Sequence, residues 1–441
     1  MRIIQITPGA GGMYCGNCFR DNTLVAEFRR QGHEVLMIPL YLPMTLDEEN
    51  QSSGIPVFFS GINVYLEQKL PLLGKMPDWM HKQLASPALL KWASRRAAKT
   101  RASELGELTL SMIKGEEGRQ VREINDLIAY LRKHERPEII SLSNALLAGM
   151  TRKIKRELNL PVVCTLQGED YFLDSLPESH RQATWDALSE RCRDVDLFIA
   201  PSNYFAELMG RRLKIPEEKM TIVYNGLKLE GWTPSSTMNT PPNPPVLGFF
   251  ARMCKEKGLD LLVDAFILLK KRGRIPHLKL HVGGAMGPGD EPFVNDLKLR
   301  LQGNGVLGDV TFFSNLTKEQ KQQFFRRISL MSVPAMYGEA FGLYLLEAWA
   351  AGVPVVQPPA AAFPELIEAT GGGVVARSAT PEALAESIEE VLLDEAKRNK
   401  LGRAARTSME ERFAAETMAR NMAEAFARAL AQPPSKVPVQ A

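Results

Sequence analysis

Two glutamates, Glu339 and Glu347, have the spacing and surroundings of a ligand-binding pair. The eight-residue step between them spans about two helical turns, and Gly342 marks a change from loop to helix. We therefore expect one carboxylate in the loop and the other on the first turns of the helix. Apolar residues at helical spacing follow, so the run also fits an ordinary amphipathic helix that leads into a buried strand.

The backbone between the two glutamates is predicted to bind an anion. Phe341, Gly342 and Leu343 stand at the expected helix N-terminus, where N–H groups lack intrahelical acceptors and the helix dipole is positive. A diphosphate suits this position, and the carboxylates on either side suit sugar hydroxyl groups. Together these features indicate a nucleotide sugar as the ligand.

Two cations are predicted to face the same diphosphate. Arg252 and Lys257 follow the predicted buried strand 246–250 and precede a helix. An arginine presents a planar fork to phosphate oxygens, and a lysine presents a mobile point charge. A charge on a loop often does no more than face solvent, so the prediction depends on the spacing of the two residues.

The elements that must position these residues belong to parallel sheets. Apolar runs of strand length alternate with helical patterns, as in βαβ units. In the first half the predicted strands are 3–7, 34–39, 139–142, 162–166, 197–201 and 220–224, and in the second half they are 246–250, 278–283, 310–313, 330–333, 353–357 and 373–376. Each half is therefore predicted to be a doubly wound α/β sheet.

The chain of 441 residues is too long for one core, which favours two domains. Residues 231–245 contain five prolines, which cannot join a helix or a central strand. The predicted organisation is a first domain at 1–232 with a helical insertion at about 43–124, a linker at 233–245, a second domain at 246–412, a C-terminal helix at 413–431 and a disordered tail at 432–441. Ligands of such sheets bind beyond the carboxyl ends of the strands, and we expect them in a cleft between the two domains.

Composition and charge narrow the function further. The chain is 45% hydrophobic and 24% charged, which is typical of a globular protein, and its net charge of +3 is too small to indicate nucleic acid. The N-terminal apolar run 3–7 reads as a strand and not as a signal peptide. No run approaches the roughly 18 apolar residues of a membrane span. We expect a cytoplasmic protein.

The residues that could bind a metal do not form a convincing set. Cys15 and Cys18 form a Cys-x-x-Cys, but no second pair completes four ligands, and the odd total of five cysteines favours reduced thiols. Asp194 and Asp196 match an Asp-x-Asp, yet they lead directly into strand 197–201. We interpret them as a polar strand entry, and no metal is predicted.

These motifs resemble those of the retaining glycosyltransferases of family 4, which have the two-domain GT-B fold. The run 337–356 is similar to the Glu-x7-Glu element of that family, and 252–258 is similar to its Gly-Arg-x4-Lys-Gly pattern, with Ala251 in place of the usual glycine. The resemblance covers most of the chain and is strongest over 249–365. It implies two Rossmann-like domains that face a central cleft.

Two further turns agree with this family. Gly11 and Gly12 follow the first strand and would let a ligand approach the backbone closely. Asn225 and Gly226 look like the Asn-Gly turn that ends the first domain in the family, although turn chemistry alone explains the pair equally well.

Two other positions depart from the family pattern. Glu365 stands where the family has a Gly-Gly-x-x-Glu loop, but this chain has alanines at 360–362, so close backbone approach is less expected. Gln167, followed by Asp170, stands where many members have a histidine that faces the donor sugar. A glutamine can hydrogen-bond to a sugar hydroxyl but cannot carry a proton.

The resemblance implies a hexosyltransferase that moves a sugar from a nucleoside diphosphate sugar to a hydroxyl of a glycan, lipid or small-molecule acceptor, with retained configuration. Glu347 would hold the ribose and Glu339 the donor sugar, while Arg252 and Lys257 stabilise the leaving diphosphate. The leaving phosphate accepts the acceptor's proton, so the scheme needs no metal, cofactor or dedicated base and tolerates Gln167. It also implies that the C-terminal helix packs back on the first domain.

Two other functional classes stay open. An NAD-dependent oxidoreductase would share the doubly wound domains, but Tyr14 breaks its Gly-x-Gly-x-x-Gly fingerprint. A non-catalytic sugar-nucleotide or glycan-binding protein would keep Arg252 and Lys257, and Gln167 favours it. The base, the sugar, the acceptor and the oligomeric state stay open.

The segment 75–101 has two interpretations. It contains seven Lys or Arg and one acidic residue, with Trp79 and Trp92 interleaved. A basic amphipathic helix of this kind can lie on an anionic membrane surface, which would place the protein at the inner face of the membrane. We prefer a solvated helical wall on the acceptor side of the cleft.

Overall fold

The computed structural model describes residues 1–9, 16–44, 46, 48–58, 106–134, 136–232, 242 and 244–432. Several predictions lie outside these residues, namely Gly11, Gly12, the segment 75–101, most of the linker 233–245 and the tail beyond Gln432. Two compact units are formed, one by Met1–Tyr224 together with the chain from Met418 onward, the other by Asn225–Thr417.

Six parallel strands form the sheet of the first unit, in the order β2-β1-β3-β4-β5-β6. They are β1 Arg2–Thr7, β2 Glu34–Pro39, β3 Ile139–Leu142, β4 Val162–Thr165, β5 Leu197–Ala200 and β6 Met220–Ile222. Ile4 of β1 pairs with Leu36 on one side and Ile140 on the other. The six predicted strands of the first half are confirmed, with ends that differ by at most two residues.

Helices connect these strands. They are α1 Gly16–Arg30, α2 Gly106–Lys114, α3 Val121–His134, α4 Thr151–Leu158, α5 Glu169–Asp174, α6 Glu178–Cys192 and α7 Asn203–Leu213. Local signals explain several ends: the Ser202 side chain accepts the N–H of Phe205 to begin α7, and Asn159 adopts a left-handed conformation to end α4.

The second unit has its own sheet of six parallel strands, in the order β12-β11-β10-β7-β8-β9. They are β7 Val246–Phe250, β8 Lys279–Gly284, β9 Val310–Ser314, β10 Leu330–Met331, β11 Val355–Gln357 and β12 Gly373–Val375. All six predicted strands are present. β12 is one residue shorter than predicted. β10 and β11 are each two residues shorter, because Val333 donates its N–H to the Gln357 side chain and Val353 donates its N–H to Ala348 of the preceding helix.

Eight helices, counted among the described residues, accompany this sheet or follow it. They are α8 Leu259–Arg272, α9 Glu291–Gly303, α10 Lys318–Arg326, α11 Leu343–Ala350, α12 Phe363–Thr370, α13 Pro381–Leu393, α14 Glu395–Glu411 and α15 Ala415–Leu430. Trp349 of α11 is fully buried and donates its indole N–H to the Gly372 carbonyl, which fixes α11 beside β12. None of the described helices combines the length and apolar character needed to cross a bilayer.

Helix α15 contributes to the core of the first unit. Met418, Met422 and Phe426 are buried in the same cluster as Phe28 of α1, and the rings of Phe28 and Phe426 lie 5.5 Å apart. The core on this face of the sheet is therefore assembled from residues near both ends of the chain.

Candidate functional site

Lys257 and Glu339 form a largely buried ion pair in the second unit. Lys257 ends a short 3-10 helix, Lys255–Lys257, that follows β7, and its Nζ donates to Glu339 Oε2 at 2.5 Å and also to the Tyr337 hydroxyl. Burial alone would lower the pKa of Lys257, but the charge of Glu339 outweighs it, so the pKa is above its usual value. Lys257 is therefore held as a cation beside the loop that carries Glu339.

Two tyrosine hydroxyls complete the surroundings of the same carboxylate oxygen. Tyr344 donates to Glu339 Oε2 at 3.0 Å, and Tyr337 donates to it at 3.3 Å. Burial, reinforced by the charge of Glu339, raises the pKa of both phenols, so both stay protonated donors. Glu339 Oε1 makes no hydrogen bond within the described residues, which leaves this oxygen for a ligand hydroxyl.

Two close contacts fix the loop of Lys257 on the loop of Glu339. Met336 donates its N–H to the Glu256 carbonyl at 2.9 Å. Gly258 has a φ of +71°, and a Cβ at this position would lie 1.9 Å from the Pro334 carbonyl oxygen. Because only glycine fits here, the Lys257-Gly258 sequence has a local reason beyond the charge of the lysine.

Arg252 is oriented by Asp290, which the sequence analysis did not single out. The Nε and Nη2 atoms of Arg252 donate to the Asp290 carboxylate at 3.0–3.2 Å, and Asp290 also accepts the N–H of Gly287. The hydrogen bonds that Arg252 donates to the Asp290 carboxylate raise the pKa of Arg252 further. The Arg252 side chain is 64% exposed, and its Nη1 has no partner in the described part of the chain, so the guanidinium can still bind an anion.

The helix that carries Glu347 begins where the sequence predicted. Gly342 has a φ of +86°, and α11 starts at Leu343. Glu347 lies one turn into this helix, and its Oε1 pairs with Lys321 Nζ at 2.7 Å. Phe341 packs its ring into the core near Phe413, so it can contribute only backbone to an anion site.

Glu365 lies close in sequence to a turn that touches the Glu339 loop. It stands in the first turn of α12, just after Ala362, whose N–H donates to the Glu339 carbonyl at 3.3 Å. Ala361 has a φ of +55°, a conformation that favours glycine. The chain thus keeps a glycine-like backbone where the family has glycine.

In the first unit, Gln167 and Asp170 lie beyond the carboxyl end of β4. Gln167 donates its side-chain N–H to the Ser143 carbonyl at 3.2 Å. Asp170 is buried, its Oδ1 has no partner among the described residues, and burial raises its pKa. Between them Glu169, also missed by the sequence analysis, accepts the N–H groups of Ala145 and Gln167.

Asn225 begins the second unit, and the turn it forms packs tightly. Its side chain is buried with Oδ1 unpartnered among the described residues, while a Cβ on Gly226 would lie 2.6 Å from the Ala414 carbonyl oxygen. Close packing therefore explains the glycine. The contact of Asn225 with a ligand stays a prediction.

Asp194 and Asp196 are occupied by cations of α4. Arg152 Nε donates to Asp194 at 2.9 Å and Lys155 Nζ to Asp196 at 2.7 Å, and Asp196 also accepts the Val162 N–H. Within the described residues no group of three or more His, Cys, Asp or Glu side chains is placed to hold a metal ion.

Two family models match the chain. The model for "Glycosyl transferases group 1" matches residues 235–408, and the model for "Glycosyltransferase Family 4" matches residues 106–230. The first model covers most of the second unit, and the second model covers about half of the first unit.

Curated relatives match over part of their length. A D-inositol 3-phosphate glycosyltransferase of Mycobacteroides abscessus is 32% identical over 184 residues, which is 40% of this chain and 39% of that protein. The protein of the same description from Stackebrandtia nassauensis is 28% identical over 221 residues, which is 48% of this chain and 49% of that protein. The chain thus spans about half or less of these relatives.

Solved structures match over nearly the whole chain. Anabaena Alr3699/HepE in complex with UDP and glucose has a TM-score of 0.68 at 17% identity, covering 97% of this chain and 100% of that chain. Sucrose-phosphate synthase from Thermosynechococcus elongatus has a TM-score of 0.69 at 17% identity, covering 98% and 99%. At this identity the likeness concerns the fold.

Proposed function

Because the chain belongs to the group 1 and family 4 glycosyltransferases and has their GT-B fold, we propose that it is a retaining hexosyltransferase. In this proposal it moves a sugar from a nucleoside diphosphate sugar to an acceptor hydroxyl and uses no metal ion. The observation that carries the proposal is the hydrogen-bonded cluster of Lys257, Glu339, Tyr337 and Tyr344. It lies beside the start of α11, with Arg252 on the neighbouring loop.

Glu339 is proposed to bind the donor sugar through Oε1. Its Oε2 already accepts hydrogen bonds from Lys257 and the two tyrosines. The side chain is therefore ordered before a ligand binds, and ligand binding does not have to supply that conformational entropy. The ionised, preoriented carboxylate can then accept hydrogen bonds from sugar hydroxyls. Such charge-assisted bonds are about twice as strong as neutral ones.

The diphosphate is proposed to lie at the start of α11, near Phe341, Gly342 and Leu343. Lys257 has three N–H groups and uses two of them on Glu339 and Tyr337, which leaves one for a phosphate oxygen. Arg252 keeps its Nη1 for the same charge. These cations and the helix end would stabilise the negative charge that develops as the sugar leaves, which is usually the largest catalytic contribution.

Glu347 is proposed to hold the ribose. The Lys321 contact occupies Oε1 and leaves the second oxygen for ribose hydroxyls. Glu365 would support the diphosphate side, and Gly11 and Gly12 stay candidates for the donor. Gln167, Asp170 and Asn225 are proposed to face the transferred sugar or the acceptor.

The acceptor is proposed to be a hydroxyl of a glycan, lipid or small molecule. The two curated relatives are described as acting with D-inositol 3-phosphate, so this compound is the first acceptor to test. We also propose a cytoplasmic protein, with residues 75–101 either on the acceptor side or in peripheral contact with the inner membrane face.

A thermal-shift panel would test the donor site. The UDP, GDP and ADP forms of common sugars would be compared with NAD, using Glu347→Ala as the matched variant. A ligand at about 100 times its Kd stabilises by about 2.7 kcal/mol, which is readily detected. Stabilisation by one nucleoside diphosphate sugar, lost in the variant, would support the proposal. Stabilisation by NAD alone would favour an oxidoreductase, and binding without turnover would favour a non-catalytic protein.

A further inference from the structure

Glu169 is a buried carboxylate that joins two loops of the first unit. It is only 3% exposed and lies in the first turn of α5. One oxygen accepts the N–H of Ala145, beyond β3, and the other accepts the N–H of Gln167, beyond β4, each at 2.8 Å. Both carboxylate oxygens are therefore used to hold backbone at the carboxyl edge of the sheet.

Gln167 is tied to the same loop through its side chain. Its Nε2 donates to the Ser143 carbonyl at 3.2 Å. Together with the two bonds to Glu169, this contact forms three hydrogen bonds between Ser143, Ala145, Gln167 and Glu169, which we name the β3–β4 clasp. Because Nε2 is engaged, the amide is oriented, and its Oε1 has no partner among the described residues.

Gly168 allows the chain to fold into this clasp. Its φ of +92° lies in the left-handed region, and no atom lies within 4 Å of the Cβ that another residue would carry. The glycine is thus required by backbone conformation and not by crowding. This conformation brings the Glu169 carboxylate back to the N–H of Gln167, two residues earlier.

We propose that Glu169 is a positioning residue, which acts through Gln167 by orienting the amide so that Oε1 accepts a hydrogen bond from a hydroxyl of the reacting sugar. This inference rests on the proposed function, because it needs a sugar at Gln167. A glutamine in this position can accept such a bond without moving a proton. The clasp therefore supplies the fixed orientation that a lone, half-buried glutamine would lack.

The charge of Glu169 gives the clasp a dependence on pH. Burial raises the pKa of Glu169 to about 7, although the N–H groups of Ala145 and Gln167 oppose this shift. The titratable groups that face it are the Cys164 and Cys192 thiols and Asp170. A proton on either oxygen would oppose one of the two backbone N–H donors, so the complete clasp belongs to the ionised form.

The test compares Glu169→Gln and Glu169→Asp with Gln167→Ala and the double variant. Asp174→Asn is the matched control, because Asp174 is an acid of the same helix whose carboxylate, among the described residues, bonds to Arg212 and Trp185 and not to the clasp. Turnover would be followed as UDP release from UDP-glucose with D-inositol 3-phosphate, and UDP binding by calorimetry. Circular dichroism would confirm that each variant folds.

We expect Glu169→Gln to lower turnover roughly 10- to 100-fold, the range for loss of correct orientation, with UDP affinity unchanged. In the Gln167→Ala background, Glu169→Gln should have little further effect on turnover. The fall in activity that we expect of the wild-type protein below about pH 7 should be absent in that background. Hydrogen exchange at the Ala145 and Gln167 amides should accelerate in Glu169→Gln.

Unchanged turnover in the Glu169 variants, losses that simply multiply with Gln167→Ala, or unchanged exchange at both amides would each overturn the inference. Absence of nucleoside diphosphate release by the wild-type protein from every UDP, GDP and ADP sugar of the thermal-shift panel would instead overturn the proposed function, and the inference with it.

Discussion

Lys257 Nζ lies 2.5 Å from Glu339 Oε2, although the two residues are 82 positions apart in the chain. The sequence assigned them separate tasks, the cation to the diphosphate and the carboxylate to the sugar. The ion pair makes the two tasks interdependent, because removing either partner leaves the other charge buried and unpaired. Substitutions at this pair should therefore be read with a stability measurement beside the rate.

Lys257→Ala should lower turnover by roughly 10²–10³, the scale of losing one group that stabilises transition-state charge. Lys255→Ala is the matched control, since Lys255 belongs to the same short helix and is exposed. Turnover of the donor found in the thermal-shift panel is the measurement. A normal rate for Lys257→Ala in a folded protein would contradict the assignment.

Tyr344→Phe removes one hydroxyl donor from Glu339 Oε2 and keeps the ring. Hydrogen bonds to charged groups contribute about 1.5–3 kcal/mol. The remaining hydrogen bonds from Lys257 and Tyr337 should still orient the Glu339 carboxylate, so the effect should be smaller than this full amount. We expect turnover to fall several-fold, with nucleotide affinity nearly unchanged. Equal losses in UDP affinity and turnover would show that Tyr344 does not act through Glu339.

Asp290→Asn should weaken the orientation of Arg252. A neutral amide cannot accept both guanidinium N–H bonds, so the side chain should lose its fixed position and turnover should fall by about 10-fold. Asp296→Asn, on the helix α9 that Asp290 immediately precedes, is the control, because Asp296 contacts Arg300 and is 69% exposed. Identical rates for the two variants would exclude a role for Asp290.

The framework of the site could be predicted from sequence, but its partners could not. Strand ends and the loop-to-helix change near Gly342 are local, so period and glycine placement were sufficient. Asp290, Lys321 and Tyr344 were missed, since Asp290 is 38 positions from Arg252 and Lys321 is 26 from Glu347. Only the folded sheet brings such pairs together. Tyr344 lies inside the motif itself, but nothing in its spacing pointed to a hydrogen bond with Glu339.

Ala361→Gly should stabilise the protein. The left-handed φ of +55° costs an alanine about 1 kcal/mol, and glycine removes this cost. Glycine also raises the conformational entropy of the unfolded chain, which offsets part of the benefit, so stability should rise by about 0.5 kcal/mol. Ala360→Gly is the control and should destabilise, because Ala360 is not among the residues with positive φ. Urea unfolding measures both changes, and a loss of stability in Ala361→Gly would contradict the described turn.

The pKa of Glu169 predicts how stability depends on pH. An ordinary glutamate value of 4.5 in the unfolded chain and about 7 in the folded protein mean that the folded state keeps its proton longer. The stability from this group is complete below about pH 4.5 and is lost as pH rises through about 7. Unfolding at about pH 5 should therefore require roughly 2–3 kcal/mol more than at about pH 8.

Glu169→Gln should remove this dependence of stability on pH. The measurement is urea unfolding of the variant and the wild-type protein at each pH. A wild-type curve with the opposite slope, and no difference from the variant, would mean that Glu169 ionises normally. This pKa could not be predicted from the sequence, because burial in the folded protein raises it while the N–H groups of Ala145 and Gln167 lower it.

The contribution of α15 to the first unit has a consequence for biosynthesis. During translation, residues up to Tyr224 emerge without Met418, Met422 and Phe426, which belong to their core. At about 5–20 residues per second, the ribosome needs roughly 10–40 s to add the 194 residues from Asn225 to Met418. The second unit can fold in that interval, whereas the first must wait, with the apolar face of α1 accessible to chaperones.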